Sequence, residues 1–137
     1  MNIKNKNNMN KPKILPTHNG LERLKTYSVS EVFKWIEENP KRIYWEKDGF
    51  EINTKRAKVF HKKGIMCVNC GVEGNFFALE KDKGDGLHLD LYGLIDGEEV
   101  LITIDHIIAK SRGGVNKMIN FQTMCKLCNE MKADSEE

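Results

Sequence analysis

Between Val29 and Ile36 the apolar residues Val29, Val32, Phe33 and Ile36 fall on one helical face. Ser28 and Glu31 have the spacing of a capping box at its start, and Asn39-Pro40 ends it. Ile43–Trp45 and Phe50–Ile52 are short strand candidates around a turn at Lys47-Asp48-Gly49. Thr54 can cap a second helix through about Lys63. In it Ala57, Val59 and Phe60 pack, while Lys55, Arg56, Lys58, Lys62 and Lys63 stay outside. Trp35 and Trp45 read as core residues. Further on the period changes to two. Leu87, Leu89 and Leu91 alternate with His88, Asp90 and Tyr92, and Val100, Ile102 and Ile104 alternate with Leu101 and Thr103. Asp96-Gly97 between the two runs predicts an antiparallel hairpin. A loop with Gly113-Gly114 follows, and from about Gln122 to Lys132 the pattern is helical with no Gly or Pro inside. The predicted class is α+β.

A chain of 137 residues is the size of one domain. No run of 18 apolar residues occurs, so no membrane span is expected. The first 13 residues hold five Asn and four Lys with no apolar period, and they read as part of a disordered basic tail over residues 1–20. No apolar segment of a secretory signal follows them, so a cytoplasmic protein is expected. The formal net charge of +2 hides a split. Residues 1–63 carry 15 Lys+Arg against 7 Asp+Glu, a net of +8, and residues 64–137 carry 7 against 13, a net of −6. A basic half beside an acidic half suggests a polyanion-binding region next to a carboxylate-bearing site. A solvated basic face is the plainer reading of the same charges.

Cys67-Val68-Asn69-Cys70 and Cys125-Lys126-Leu127-Cys128 are two C-x-x-C pairs with 54 residues between them. In a reducing compartment such pairs point to metal rather than disulfides. Four thiolates meet the tetrahedral demand of a structural zinc, and they leave it no open position for water. Gly64 and Gly71 suit the tight turns of a zinc knuckle. A thioredoxin-like redox pair would need a βαβ pattern, and neither pair has one.

An Asp-His dipeptide alone is a weak signal. Here Asp105-His106-Ile107 ends a predicted strand and is followed by Gly113-Gly114, Asn120-Phe121-Gln122, Cys125-x-x-Cys128-Asn129 and Lys132. From Cys67 to Ala133 this array resembles the HNH endonuclease family in its four-cysteine, zinc-stapled form. Less specifically, the chain resembles small stand-alone phage HNH proteins, which places it in a prokaryotic or phage-infected cell. The resemblance implies a ββα-metal (His-Me finger) nuclease core over residues 64–137, while residues 21–63 lie outside the motif and read from their own pattern as a basic extension of helix and short strands.

The resemblance also implies roles. His106 would be the general base that deprotonates water, which suits a neutral imidazole. Asp105 and Asn129 would hold a catalytic divalent cation, Mg²⁺ or Mn²⁺, since both offer hard oxygen ligands. Asn120 would orient the loop and His106. Lys110, Arg112, Lys117, Lys126 and Lys132, together with Lys55, Arg56, Lys58 and Lys62 of the basic helix, would hold DNA phosphates. The function implied is hydrolysis of phosphodiester bonds in DNA, taken as duplex. The alternative is an inactive zinc-stabilised nucleic-acid-binding module.

Overall fold

The computed structural model describes residues 21–38 and 54–135. The expected basic tail, the stop at Asn39-Pro40 and the two short strands around Lys47-Asp48-Gly49 lie outside the described residues. The chain is α+β. Strands β1 (Glu22–Ser28), β2 (Gly74–Lys81), β3 (Leu87–Ile95), β4 (Glu98–His106) and β5 (Phe121–Cys125) form one antiparallel sheet in the order β1-β2-β3-β4-β5. Helices α1 (Val29–Glu38), α2 (Lys55–Lys63) and α3 (Lys126–Ser135) pack on it. No helix among the described residues is long and apolar enough to cross a membrane.

Local signals set both early helices. The Glu31 amide donates to Ser28 Oγ at 3.0 Å, and Glu31 Oε1 accepts from the Ser28 amide at 2.9 Å, a complete capping box. Thr54 Oγ1 accepts from the Ala57 amide at 3.1 Å and so starts α2. Ala57, Val59 and Phe60 are buried, as their pattern predicts. The β3–β4 hairpin also forms. Asp96 and Gly97 both have positive φ, at 52° and 83°, which matches the twist of the flanking strands. The core runs through the sheet and all three helices, joining Val32, Ile36, Phe60, Phe77, Leu91, Ile102 and Met124 with Cys67, Cys125 and Cys128. Each large apolar side chain fully buried here contributes about 1.5–3 kcal/mol.

Three strands depart from the sequence pattern. β1 is an edge strand with one buried residue, Tyr27, so it shows little apolar periodicity. β2 is buried from Phe77 to Glu80 without a break, which erases the period of two. The predicted helix from Gln122 is a strand as far as Cys125, and the helix starts only at Lys126. Register explains this correction. Gln122 pairs with Asp105, Thr123 with Ile104 and Cys125 with Ile102. Burial and ladder bonds from a distant strand override the helical propensity of a five-residue segment. In sequence order β4, β5 and α3 thus form a ββα unit.

Glu80 of β2 is wholly buried. It accepts from Tyr92 Oη at 2.6 Å and from Arg23 Nε at 3.1 Å, and Arg23 also forks onto Glu99 at 2.8 and 2.9 Å. Burial, with Asp90 beside it, pushes the Glu80 carboxyl up to about 8.

Candidate metal centre and the cleft at the Asp-His pair

The four cysteines converge. Their Sγ atoms all lie within 4.8 Å of one another. Gly71, at φ 83°, donates to the Cys67 carbonyl at 3.0 Å, and the Cys67 amide donates to Val72 O at 2.8 Å, closing the knuckle. The Val68 amide reaches Thr123 O at 3.0 Å, and Thr123 Oγ1 donates to Gly64 O at 2.6 Å. These bonds dock the knuckle on β5. Cys125 closes that strand and Cys128 sits in the first turn of α3, so the second pair straddles a strand–helix junction. Asn69 Nδ2 donates to Cys128 Sγ at 3.2 Å. A bond from the Cys125 thiol draws the Cys67 thiol down to about 4, and acting as donor raises Cys125. Burial pushes Cys70 up to about 11. Four thiols this close cannot all ionise without a cation among them. The donor set fits zinc, and a zinc here would tie the knuckle, β5 and α3 together.

The end of β4 opens into a cleft of about 270 Å³ lined by Ile104, Asp105, His106, Ala109, Lys110, Asn129, Lys132 and Ala133. Asp105 is 8% exposed. Its Oδ2 accepts from Lys132 Nζ at 2.6 Å and from Gln122 Nε2 at 2.9 Å. Lys132 Nζ also donates to the His106 carbonyl at 2.7 Å. Asn129 Nδ2 donates to Thr103 Oγ1 at 3.0 Å and to Ile104 O at 3.2 Å, so β4 anchors the amide by its nitrogen. The Asp105 carboxylate and the Asn129 amide offer oxygen atoms to this cleft, the donor type that suits a hard divalent cation.

His106 packs its ring edge-on to Phe121, with centroids 5.1 Å apart, and its Nε2 lies 3.1 Å from Asn116 Oδ1. Asn120 is buried in the loop behind it. Its Oδ1 accepts from the Ile108 amide at 2.8 Å, and its Nδ2 donates to Ile108 O and Val115 O at 3.0 and 2.8 Å. The loop also needs its glycines. Gly113 has φ 90°, and a Cβ on Gly114 would lie 1.8 Å from Ile108 O.

Residues 95–136 match the family model for HNH endonucleases.

The HNH segment includes Asp105, His106, Asn120, Asn129, Lys132 and the second cysteine pair. Cys67 and Cys70 lie outside it, and so does the whole of α2. No curated protein and no solved structure matches the chain. The HNH match supports a nuclease that acts on nucleic acid. The cleft gathers Asp105, His106, Asn129, Lys110 and Lys132, while Asn120 lies in the wall of the loop. Arg112 and Lys117 are exposed on that loop, and Lys126 begins α3. Of the basic helix, Lys55 reaches the loop at Asn116, and Arg56 faces the buried Asp90 at 3.6 Å. Lys58 and Lys62 are exposed. His61 pairs with Glu37 at 2.9 Å and His88 with Asp82 at 2.7 Å.

Nothing local in the sequence marks Asn116, Gln122 or Thr103 for a role. Gln122 is part of the Asn120-Phe121-Gln122 motif, but only the β4–β5 register brings its amide to Asp105. Asn116 follows Gly113-Gly114-Val115 in a loop without periodicity, where no sequence signal marks a partner.

Proposed function

We propose that this protein is a metal-dependent DNA endonuclease with His106 as general base. The observation that carries the reading is the shared cleft of Asp105, His106, Asn129 and Lys132. His106 takes a proton from water, whose oxygen attacks the scissile phosphorus in line. The bond to the 3′-oxygen breaks, leaving a 5′-phosphate and a 3′-hydroxyl that takes its proton from solvent. A divalent cation held by Asp105 and Asn129, Mg²⁺ or Mn²⁺, would supply positive charge to the phosphate and the departing oxygen. Lys110 and Lys132 add fixed positive charge at the rim, and the β4–β5–α3 unit serves as the His-Me finger. Asn120 keeps the loop behind His106 in shape. Lys58, Lys62, Arg112 and Lys117 are exposed cations suited to backbone phosphates on either side, and such contacts carry affinity without sequence preference.

The test is single-turnover cleavage of supercoiled duplex plasmid by zinc-loaded protein across a Mg²⁺ titration. The parent should nick or linearise DNA only with the cation present. His106→Ala should slow cleavage about 10²–10⁴-fold with DNA binding retained. Asp105→Ala and Asn129→Ala should need more cation for the same rate. A His106→Ala protein that cuts at the parent rate rules out the mechanism. A parent that binds DNA but never cuts leaves a zinc-stabilised binding module.

A further inference from the structure

The imidazole of His106 is met by Asn116, within the HNH segment, and Asn116 is in turn met by Lys55, which lies outside it. Asn116 Oδ1 lies 3.1 Å from His106 Nε2 and 3.0 Å from Lys55 Nζ. Lysine has hydrogens to donate and no lone pair to offer in its charged form. Its approach therefore fixes which end of the Asn116 amide is the oxygen. An amide oxygen accepts only, so the Nε2 that it faces must carry the hydrogen. A neutral imidazole with its hydrogen on Nε2 has its lone pair on Nδ1. Lys55 is itself held on a second side, with Nζ 4.5 Å above the centre of the Phe121 ring, the ring that His106 meets edge-on. Lys55 is the first residue of α2, and Thr54 beside it caps that helix. The contact from α2 to the base runs through Asn116 of the exposed loop, and its far end, Lys55, sits at a capped helix start.

We propose that Asn116 and Lys55 are positioning residues for His106. Asn116 holds the imidazole in the Nε2–H form with Nδ1 presented as the base, and Lys55 locks the Asn116 amide in the orientation that does so. The basic helix outside the HNH segment would then complete the site as well as attract phosphates. This inference rests on the reading of His106 as the base.

Two measurements separate the failure of the inference from the failure of that reading. The first needs no cleavage. In zinc-loaded protein with nitrogen-labelled histidine, long-range proton–nitrogen spectra are recorded at a pH where the imidazole is neutral. The parent His106 should be entirely Nε2–H, and Asn116→Leu should admit a population of Nδ1–H. A parent that carries the proton on Nδ1, or an Asn116→Leu spectrum identical to the parent's, overturns the inference whether or not the protein cuts DNA. The second is single-turnover cleavage. Asn116→Leu should lower the rate about 10–100-fold with KM unchanged, the cost of a misplaced reacting group. Asn116→Asp restores an oxygen acceptor and should recover rate relative to Asn116→Leu. Lys55→Met should show a smaller loss of the same kind. Equal rates for Asn116→Leu and Asn116→Asp, or a Lys55→Met protein at the parent rate, refute the clamp. The expected spectra in a parent that cuts nothing would support the clamp and refute the nuclease.

Discussion

Lys132 Nζ sits 2.6 Å from Asp105 Oδ2 and 2.7 Å from the His106 carbonyl, so one ammonium from α3 ties down both residues of the Asp-His pair. Lys132 and the proposed cation would draw on the same carboxylate. Lys132→Met should lower cleavage about tenfold or more through a loosened β4 end. It should also lower the Mg²⁺ concentration at half-maximal rate, because an opposing charge beside Asp105 is gone. A metal titration of single-turnover rates measures both. A higher Mg²⁺ requirement in the variant would show that Lys132 does not compete for Asp105.

Asn120 makes three hydrogen bonds from a side chain that is 5% exposed. Asn120→Ala leaves the Ile108 amide and two carbonyls without these partners. The expected cost is about 1–3 kcal/mol for each group left unsatisfied in the interior. Thermal unfolding should show a clear loss of stability, and cleavage should fall without any change in the Mg²⁺ requirement. An altered Mg²⁺ requirement would instead place Asn120 among the cation ligands.

Zinc should stoichiometrically occupy the four-cysteine cluster, one ion per chain. Cys125→Ser should cost more than Cys70→Ser, since Cys125 is buried at the end of β5 while Cys70 is exposed. Removal of the metal by a chelator should unfold the knuckle and free the start of α3, because the binding energy of a small metal site is also folding energy. Metal analysis with far-ultraviolet circular dichroism checks this. Full zinc content in the double variant Cys125→Ser/Cys128→Ser would refute the site.

Glu80 gives a pH dependence to stability. Its folded-state value of about 8 lies above the ordinary 4.5, so between those values the folded chain keeps a proton that the unfolded chain has lost. This contribution is full below about 4.5 and is lost as pH rises to about 8. Glu80→Gln keeps a polar partner for Tyr92 and Arg23 but cannot titrate. Its Tm should therefore fall less than the parent's between about pH 5 and pH 8. Identical slopes in the two proteins would remove Glu80 as the source.

The sequence by itself determined what its local physics reaches. Ser28 with Glu31 and Thr54 with Ala57 settle two helix starts within four residues of chain. Leu87–Ile104 shows its hairpin by alternation, and Asp96-Gly97 supplies the turn. Two C-x-x-C pairs announce a tetrahedral metal site, and the order Asp105-His106, Asn120, Asn129 carries the HNH resemblance. Tertiary structure alone decided the rest. β1 hides as a polar edge and β2 as a strand without alternation. Phe121–Cys125 becomes a strand only because β4 offers it a ladder. The contacts of Lys132 with Asp105, of Gln122 with Asp105 and of Lys55 with Asn116 span 27, 17 and 61 residues. No periodicity connects residues so far apart. Burial and closing geometry select such partners, and both come into being only when the chain has folded.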